Sequence, residues 1–270
     1  MKTLRAAVVQ LESQDQVDAN LEQCQRHVLR AAADGARLVV LPENFSFMGA
    51  EADKRRFAEE LGDRGPIQSA LSSLAREAQL TLIAGGFPEK SGDDARPFNT
   101  LLVYGPDGRL RTHYRKIHLF DVELADGTVL NESSATSAGD ELVTTDVDGA
   151  RVGLSICYDL RFPELYRGLV SAGAEVLVVP AAFTLQTGKD HWHPLLRARA
   201  IESQCWVLAA GQWGKHPKGR LTYGHSMIID PWGTIVSQCS DGVGHCTADL
   251  DAELTARVRA SVPCLQHRRL

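Results

Sequence analysis

Short, mostly apolar runs separated by amphipathic stretches of helical length constrain this chain most. Leu38 to Leu41, Leu80 to Ala84, Val176 to Val179 and Val207 to Ala210 lack the polar alternation of a half-exposed strand. A strand reads this way when neither of its faces meets water, so these runs imply sheets covered on both sides. The intervening segments supply the cover. Leu4 to Val9 reads as a strand, followed by a helix that Asp18 could cap and Gly35 could end, then the strand Leu38 to Leu41. Pro66, after Gly65, opens a helix to about Ala78 ahead of Leu80 to Ala84. Later come a strand Val152 to Ile156, a helix from about Pro163 to Ala172, Val176 to Val179, a helix from about Trp192 to Ser203, and Val207 to Ala210.

Hairpins interrupt this alternation. Strand-like residues between Thr100 and Tyr114 flank Gly105-Pro106-Asp107-Gly108, and two more runs flank Asp148-Gly149. Ser226 to Ile229, Thr234 to Gln238 and His245 to Asp249 add strands before a short helix near Ala252 to Ala260. The expected class is therefore layered α/β with mixed sheets. With 270 residues the chain fits one large domain, spanning 1–270, better than two small ones, with a basic tail over about 261–270.

A net charge of -5 provides no basic field for nucleic acid or an anionic membrane surface. No run approaches the 18 apolar residues of a spanning helix. Met1-Lys2-Thr3 leads directly into a strand without a signal-peptide core, so a cytoplasmic location is expected. The six cysteines contain no C-x-x-C pair, which argues against a zinc ribbon or a disulfide framework and leaves a thiol free for chemistry. His191 with His193, and His113 with His118, could hold a metal only with carboxylates from elsewhere, so neither metal nor cofactor is expected.

Three segments carry candidate chemistry. In RVGLSICYDLRFPELY, an apolar strand runs into Cys157 before Pro163 opens a helix, a strand-to-helix elbow that exposes a side chain at a sheet edge. Backbone N–H groups of the following turn can receive an oxyanion there. GLSIC also begins like the serine motif G-x-S-x-G with Ser155 as the serine, but Cys157 stands where that motif needs glycine. In LVVLPENF, Glu43 follows an apolar strand by one proline, at a sheet edge where a carboxylate could act as base. In YRKIHLFD, Lys116 follows a hairpin strand, and its ammonium near Cys157 would favour the thiolate and a negative tetrahedral intermediate. Taken singly, Glu43 reads as a loop acid and Lys116 as part of a solvated basic patch.

Taken together, in the order Glu43, Lys116, Cys157, these motifs resemble the nitrilase superfamily of carbon–nitrogen hydrolases over nearly the whole chain. The resemblance implies a four-layer α-β-β-α sandwich whose protomers pair through outer helices as a homodimer or higher homo-oligomer. It implies Glu43 as general base, Cys157 as the nucleophile of a thioester, and Lys116 with the Tyr158 N–H as the holder of the intermediate. Glu132, in NESS, matches a second site glutamate that orients Lys116 or positions water.

Within the superfamily the resemblance is finer to the Nit-type branch of small ω-amidases. It implies a small-molecule amide substrate bearing an α-keto acid: deaminated glutathione first, 2-oxoglutaramate or another short aliphatic amide second. Arg161 is expected to pair with the substrate carboxylate or with Glu164, and Phe183 and Thr184 to line the pocket. His216 and Lys218 read as a surface loop that could touch the leaving group, and Cys264 replaces a larger apolar residue in the tail. A catalytically idle binding protein would lack one of the three motif residues, and a true nitrilase would carry a different segment after its cysteine.

Overall fold

The computed structural model describes residues 3–62, 65–123, 127 and 129–269. Its first part comprises β1 (Leu4–Gln10), α1 (Val17–Ala33), β2 (Leu38–Leu41), α2 (Pro66–Ala78), β3 (Thr81–Glu89), β4 (Phe98–Tyr104) and β5 (Leu110–Arg115). A ribbon of β6 (Asp121–Glu123) and β7 (Val129–Asn131) follows. Next are β8 (Thr144–Val147), β9 (Ala150–Leu154), α3 (Pro163–Ser171), β10 (Val176–Ala181), α4 (Leu185–Ser203) and β11 (Trp206–Gly211). A second ribbon, β12 (Trp213–Lys215) with β13 (Leu221–Tyr223), precedes β14 (Met227–Ile229), β15 (Ile235–Gln238), β16 (Gly244–Leu250), α5 (Ala252–Ser261) and α6 (Cys264–His267).

Two six-stranded sheets result, in the orders β16-β1-β2-β3-β4-β5 and β15-β14-β11-β10-β9-β8. Each has a parallel centre, β1-β2-β3 or β9-β10-β11, and antiparallel margins. Side chains of the central strands sort strictly by parity. Ala7, Val9, Val39, Leu41, Leu82 and Ala84 pack with Cys24 and Val28 of α1 and Ile67 and Leu71 of α2. Their neighbours Ala6, Val8, Leu38, Val40 and Ile83 join Val152, Leu154 and Val178 of the opposite sheet. One pleat thus feeds two cores, which is why these strands are apolar on both faces. Leu165 and Leu169 of α3 and Leu196 and Ala200 of α4 cover the second sheet. The architecture is the α-β-β-α sandwich.

The turn between β8 and β9 follows from two consecutive left-handed residues, Asp148 (φ 49°) and Gly149 (φ 79°), the twist a two-residue hairpin needs. Three expectations change. Asp18 lies in the first turn of α1 rather than at its cap, which is Gln16 without a capping side chain; there its carboxylate still favours the helix N-terminus. The helix expected from Trp192 begins at Leu185, because the Thr184 hydroxyl accepts the Thr187 N–H at 3.3 Å. Gly188 and Pro194 disguise that helix as loop; Gly188 is there because a Cβ would lie 2.2 Å from that of Tyr223. His216 is buried, its ring nitrogens 2.7 Å from the Ser13 carbonyl and 2.7 Å from the Thr222 hydroxyl, so of the two residues expected at the surface Lys218 alone is exposed.

Candidate active site

Glu43 comes just after β2, Lys116 just after β5, and Cys157 three residues after β9. Glu132 opens a single 3-10 turn after β7. Stacking the two sheets brings the ends of β2 and β9 together, and both sequence-distant carboxylates reach the same ammonium. Lys116 Nζ donates to Glu43 Oε1 at 2.9 Å and to Glu132 Oε2 and Oε1 at 2.8 and 3.0 Å. The second oxygen of Glu43, Oε2, accepts the Ala182 N–H at 3.0 Å. The Cys157 sulfur lies beside the Glu43 carboxylate and the same Ala182 N–H, both of which act on its electrostatics.

The elbow is built to present this thiol. Cys157 sits in the left-handed region, at φ 48°, a conformation costing a residue with a Cβ roughly 1–2 kcal/mol. Asp159, fully buried, offsets that cost by tying the turn to its surroundings. Its Oδ2 accepts the Ile156 N–H at 2.8 Å and the Tyr114 hydroxyl at 2.7 Å, while Oδ1 accepts the His118 N–H at 3.1 Å. Ser155 is a buried structural hydroxyl that donates to the Val178 carbonyl at 2.7 Å, so it is not a second nucleophile.

Burial raises the Cys157 thiol well above the usual thiol range, with Glu43 adding to the rise and Lys116 opposing it. The expected stabilisation of thiolate by Lys116 is therefore outweighed, and the resting sulfur is a neutral thiol facing a carboxylate. Burial works against the Lys116 ammonium, but Glu132, Glu43 and Cys157 outweigh it and raise its pKa well above the usual value. Burial likewise works against the Glu132 carboxylate, yet Lys116 and then Lys54 bring its pKa down to about 2. Glu43, the carboxylate beside the sulfur, rather than Glu132, is the group placed to take a proton from it during attack without a preformed thiolate ion pair.

The remaining expected residues lie around a smaller cavity. Tyr158, Arg161, Phe183 and Thr184 line it together with Cys157 and Phe120. The Arg161 guanidinium lies over the rings of Phe183 and Tyr158, 5.3 and 5.9 Å from their centroids, and its Nη1 is 3.3 Å from His191 Nδ1. Among the described residues no ion pair joins it to Glu164. Thr184 doubles as the cap of α4.

Sequence reading missed Asn99, Glu51, Lys54 and Arg220. Asn99 Nδ2 donates to Glu43 Oε1 at 3.0 Å and to Glu132 Oε1 at 3.1 Å, clamping the two carboxylates together. Its only signal is an amide inside the strand FNTLLVY, where such residues are depleted. Glu51, Lys54 and Arg220 line the cavity with Glu43, Lys116 and Cys157. Nothing local distinguishes them from other surface charges.

Gly86, at φ +73° in a bulge of β3, sets the position of Glu43: a Cβ there would lie 2.8 Å from Glu43 Cγ and 2.9 Å from the Asn44 nitrogen. Gly86→Ala is expected to lower kcat about 100-fold by displacing the carboxylate, and to lower the melting temperature as well. Steady-state kinetics within tenfold of the parent would refute this.

The sequence profile of the carbon–nitrogen hydrolases matches residues 5–260. A Synechocystis protein named deaminated glutathione amidase is 43% identical over 272 residues, covering 99% of this chain and 99% of its own. Among solved structures, the Caenorhabditis elegans NitFhit protein superposes with a TM-score of 0.92 at 41% identity, covering 100% of this chain and 66% of that one. Saccharomyces cerevisiae Nit3, described as a member of branch 10 of the nitrilase superfamily, gives a TM-score of 0.89 at 31% identity, covering 100% of this chain and 97% of its own. With a matched profile over nearly its full length and the thiol, ammonium and carboxylates drawn into one cavity, the chain belongs to the carbon–nitrogen hydrolase family.

Proposed function

We propose that this protein hydrolyses deaminated glutathione to 2-oxoglutarate and cysteinylglycine through a thioester on Cys157. The observation that carries the chemistry is the Cys157 thiol in one cavity with Glu43, with Lys116 bonded to that same carboxylate. As sulfur attacks the amide carbon, Glu43 takes the thiol proton, and the C=O π pair moves to oxygen. The Lys116 ammonium and the Tyr158 N–H hold that oxyanion. Glu43 then passes the proton to the amide nitrogen, the C–N bond breaks, and cysteinylglycine leaves as an amine. Water, deprotonated by Glu43, attacks the thioester and releases 2-oxoglutarate and the thiol. Glu132, fixed by Lys116, Asn99 and the Phe120 N–H, keeps the ammonium aimed at the oxyanion.

Arg161, half-buried between aromatic rings, is suited to the α-keto carboxylate, with Phe183 and Thr184 along the acyl chain. The name of the Synechocystis relative supports deaminated glutathione over 2-oxoglutaramate, which shares that acyl portion. Incubation with each substrate, following 2-oxoglutarate and ammonia separately, tests the assignment. A higher specificity constant on 2-oxoglutaramate would overturn it in favour of ω-amidase activity.

We further propose that the chain acts as one domain in a homodimer. Trp232, Ile201 and Val262, 59%, 48% and 44% exposed, surround a groove of about 550 Å³ bordered by α3, the end of α4 and the C-terminal segment. Exposed apolar side chains clustered in this way mark an interface. Sedimentation velocity is expected to show a dimer that Trp232→Glu with Ile201→Glu converts to monomer; a monomeric parent refutes it. No described helix is long and apolar enough to cross a membrane. We place the protein in the cytoplasm, an assignment overturned if cell fractionation recovers the activity with another compartment.

A further inference from the structure

We propose that Lys54 and Arg220 form a subsite for the carboxylate of the leaving group, so that the enzyme grips a substrate carrying a carboxylate at each end. This rests on the amidase reading above and refines it. Cys157 and Phe120 line two cavities that meet at the thiol. One holds Arg161, the partner of the acyl carboxylate. The other runs past Lys116 to Glu51, Lys54 and Arg220. A substrate whose amide carbon lies at sulfur, with its acyl chain toward Arg161, directs its amine portion into the second cavity.

Arg220 is under-committed there. Arg220 donates through Nη1 to Glu51 at 3.2 Å and through Nη2 to the Ala182 carbonyl at 3.5 Å, both near the long limit of a hydrogen bond. Its buried Nε has no partner among the described residues. A guanidinium presents five N–H donors in a fork that matches a carboxylate, so this one has capacity for a bidentate anion. Lys54, buried along its side chain, is 2.7 Å from the same Glu51. Glu51 therefore faces both cations, and Lys54 acts on Glu132 as well. Burial would raise the Glu51 carboxyl, but Lys54 and Arg220 outweigh it and hold it below the usual range, so it stays ionised beside them and leaves the unpaired Arg220 Nε as the open donor.

The chemistry of the leaving group fits. Cysteinylglycine is two residues long and ends in a carboxylate, which an extended chain carries at most ~7 Å from the scissile nitrogen. Ammonia, the leaving group of 2-oxoglutaramate, has no group for such a subsite to hold. Lys54 and Arg220 would then determine specificity for a peptidic amine over ammonia, a discrimination the acyl cavity cannot make because both substrates share that half.

The test crosses two substrates with two enzymes: deaminated glutathione and its analogue with the glycine carboxylate converted to carboxamide, against the parent and Arg220→Gln. The parent is expected to favour the acid by at least about tenfold in kcat/KM, mainly through KM. Arg220→Gln should bring that ratio close to one, and Arg220→Lys should restore part of it. If Arg220→Gln does not fold, Lys54→Met is the second variant, and the parent's ratio is decisive without either. A ratio near one in the parent, or undiminished in a folded variant, overturns the subsite while leaving the amidase reading intact. A parent that hydrolyses 2-oxoglutaramate but not deaminated glutathione overturns both the subsite and the deaminated glutathione assignment.

Discussion

Lys116→Met is expected to reduce hydrolysis of deaminated glutathione below detection and to destabilise the protein by about 3–5 kcal/mol at pH 7. The catalytic loss follows from removing the cation assigned to the oxyanion. The stability loss follows from burial. Glu43 and Glu132 share that ammonium at 2.9 and 2.8 Å inside the protein, and methionine would leave two buried carboxylates without the cation that joins them. The pH dependence gives the sign. In the parent, the Glu132 pKa is lowered to about 2, so its contribution is present above the unfolded value of roughly 4.3 and is lost as pH falls toward 2. In the variant, burial, the largest influence on Glu132, is no longer opposed by Lys116 and is expected to outweigh Lys54 and raise that pKa above the unfolded value, so stability is penalised as pH rises through it. The gap between parent and variant should therefore narrow between pH 7 and pH 5. Urea unfolding at both pH values measures it, and an equal gap would refute the buried ion cluster as the cause.

Cys157→Ala is expected to lower kcat by roughly 10^4–10^6-fold while changing stability by no more than ~1 kcal/mol. Alanine retains the Cβ and hence the same left-handed backbone at φ 48°. The contacts that hold the elbow belong to Asp159 and Ser155 rather than to the sulfur. Mass spectrometry of the parent during turnover should find the acyl group on the peptide containing residue 157, and the variant should carry none. Activity within tenfold of the parent, or acylation at another of the six cysteines, would refute the assignment. Cys24 and Cys205 are poor substitutes because burial raises both thiols, Cys205 to about 12, and neither lines the cavity.

The comparison of these two substitutions separates what the chain does with charge from what it does with shape. Lys116 joins the β5 end to Glu132 and Glu43 through an ion cluster, so its removal is felt by fold and chemistry together. Cys157 is held in place by neighbours that do not need it. A site in which the nucleophile is structurally dispensable and its cation is not should lose activity in both variants but thermal stability in one.

Much of this was legible in sequence because the signals were local. The apolar runs of β2, β3, β10 and β11 announce strands covered on both faces, Pro66 and Pro163 mark helix starts, and Asp148-Gly149 marks its hairpin. Glu43, Lys116 and Cys157 each follow a strand within a recognisable motif, so their residue types and order could be read without coordinates. What sequence left open depends on contacts between distant segments. Asn99 becomes a clamp only because β4 lies beside β5 and both carboxylates turn toward it. His216 is buried only because Ser13 and Thr222 meet it. The balance that keeps Cys157 a thiol is likewise tertiary, since burial and Glu43 act on the sulfur more strongly than Lys116. Local pattern determined the strands, the turns and the identity of the reacting groups, because these depend on a few adjacent residues. Which charges share one cavity, and what proton each holds, was decided by the stacking of two sheets, because electrostatic interaction depends on distance and burial rather than on position along the chain.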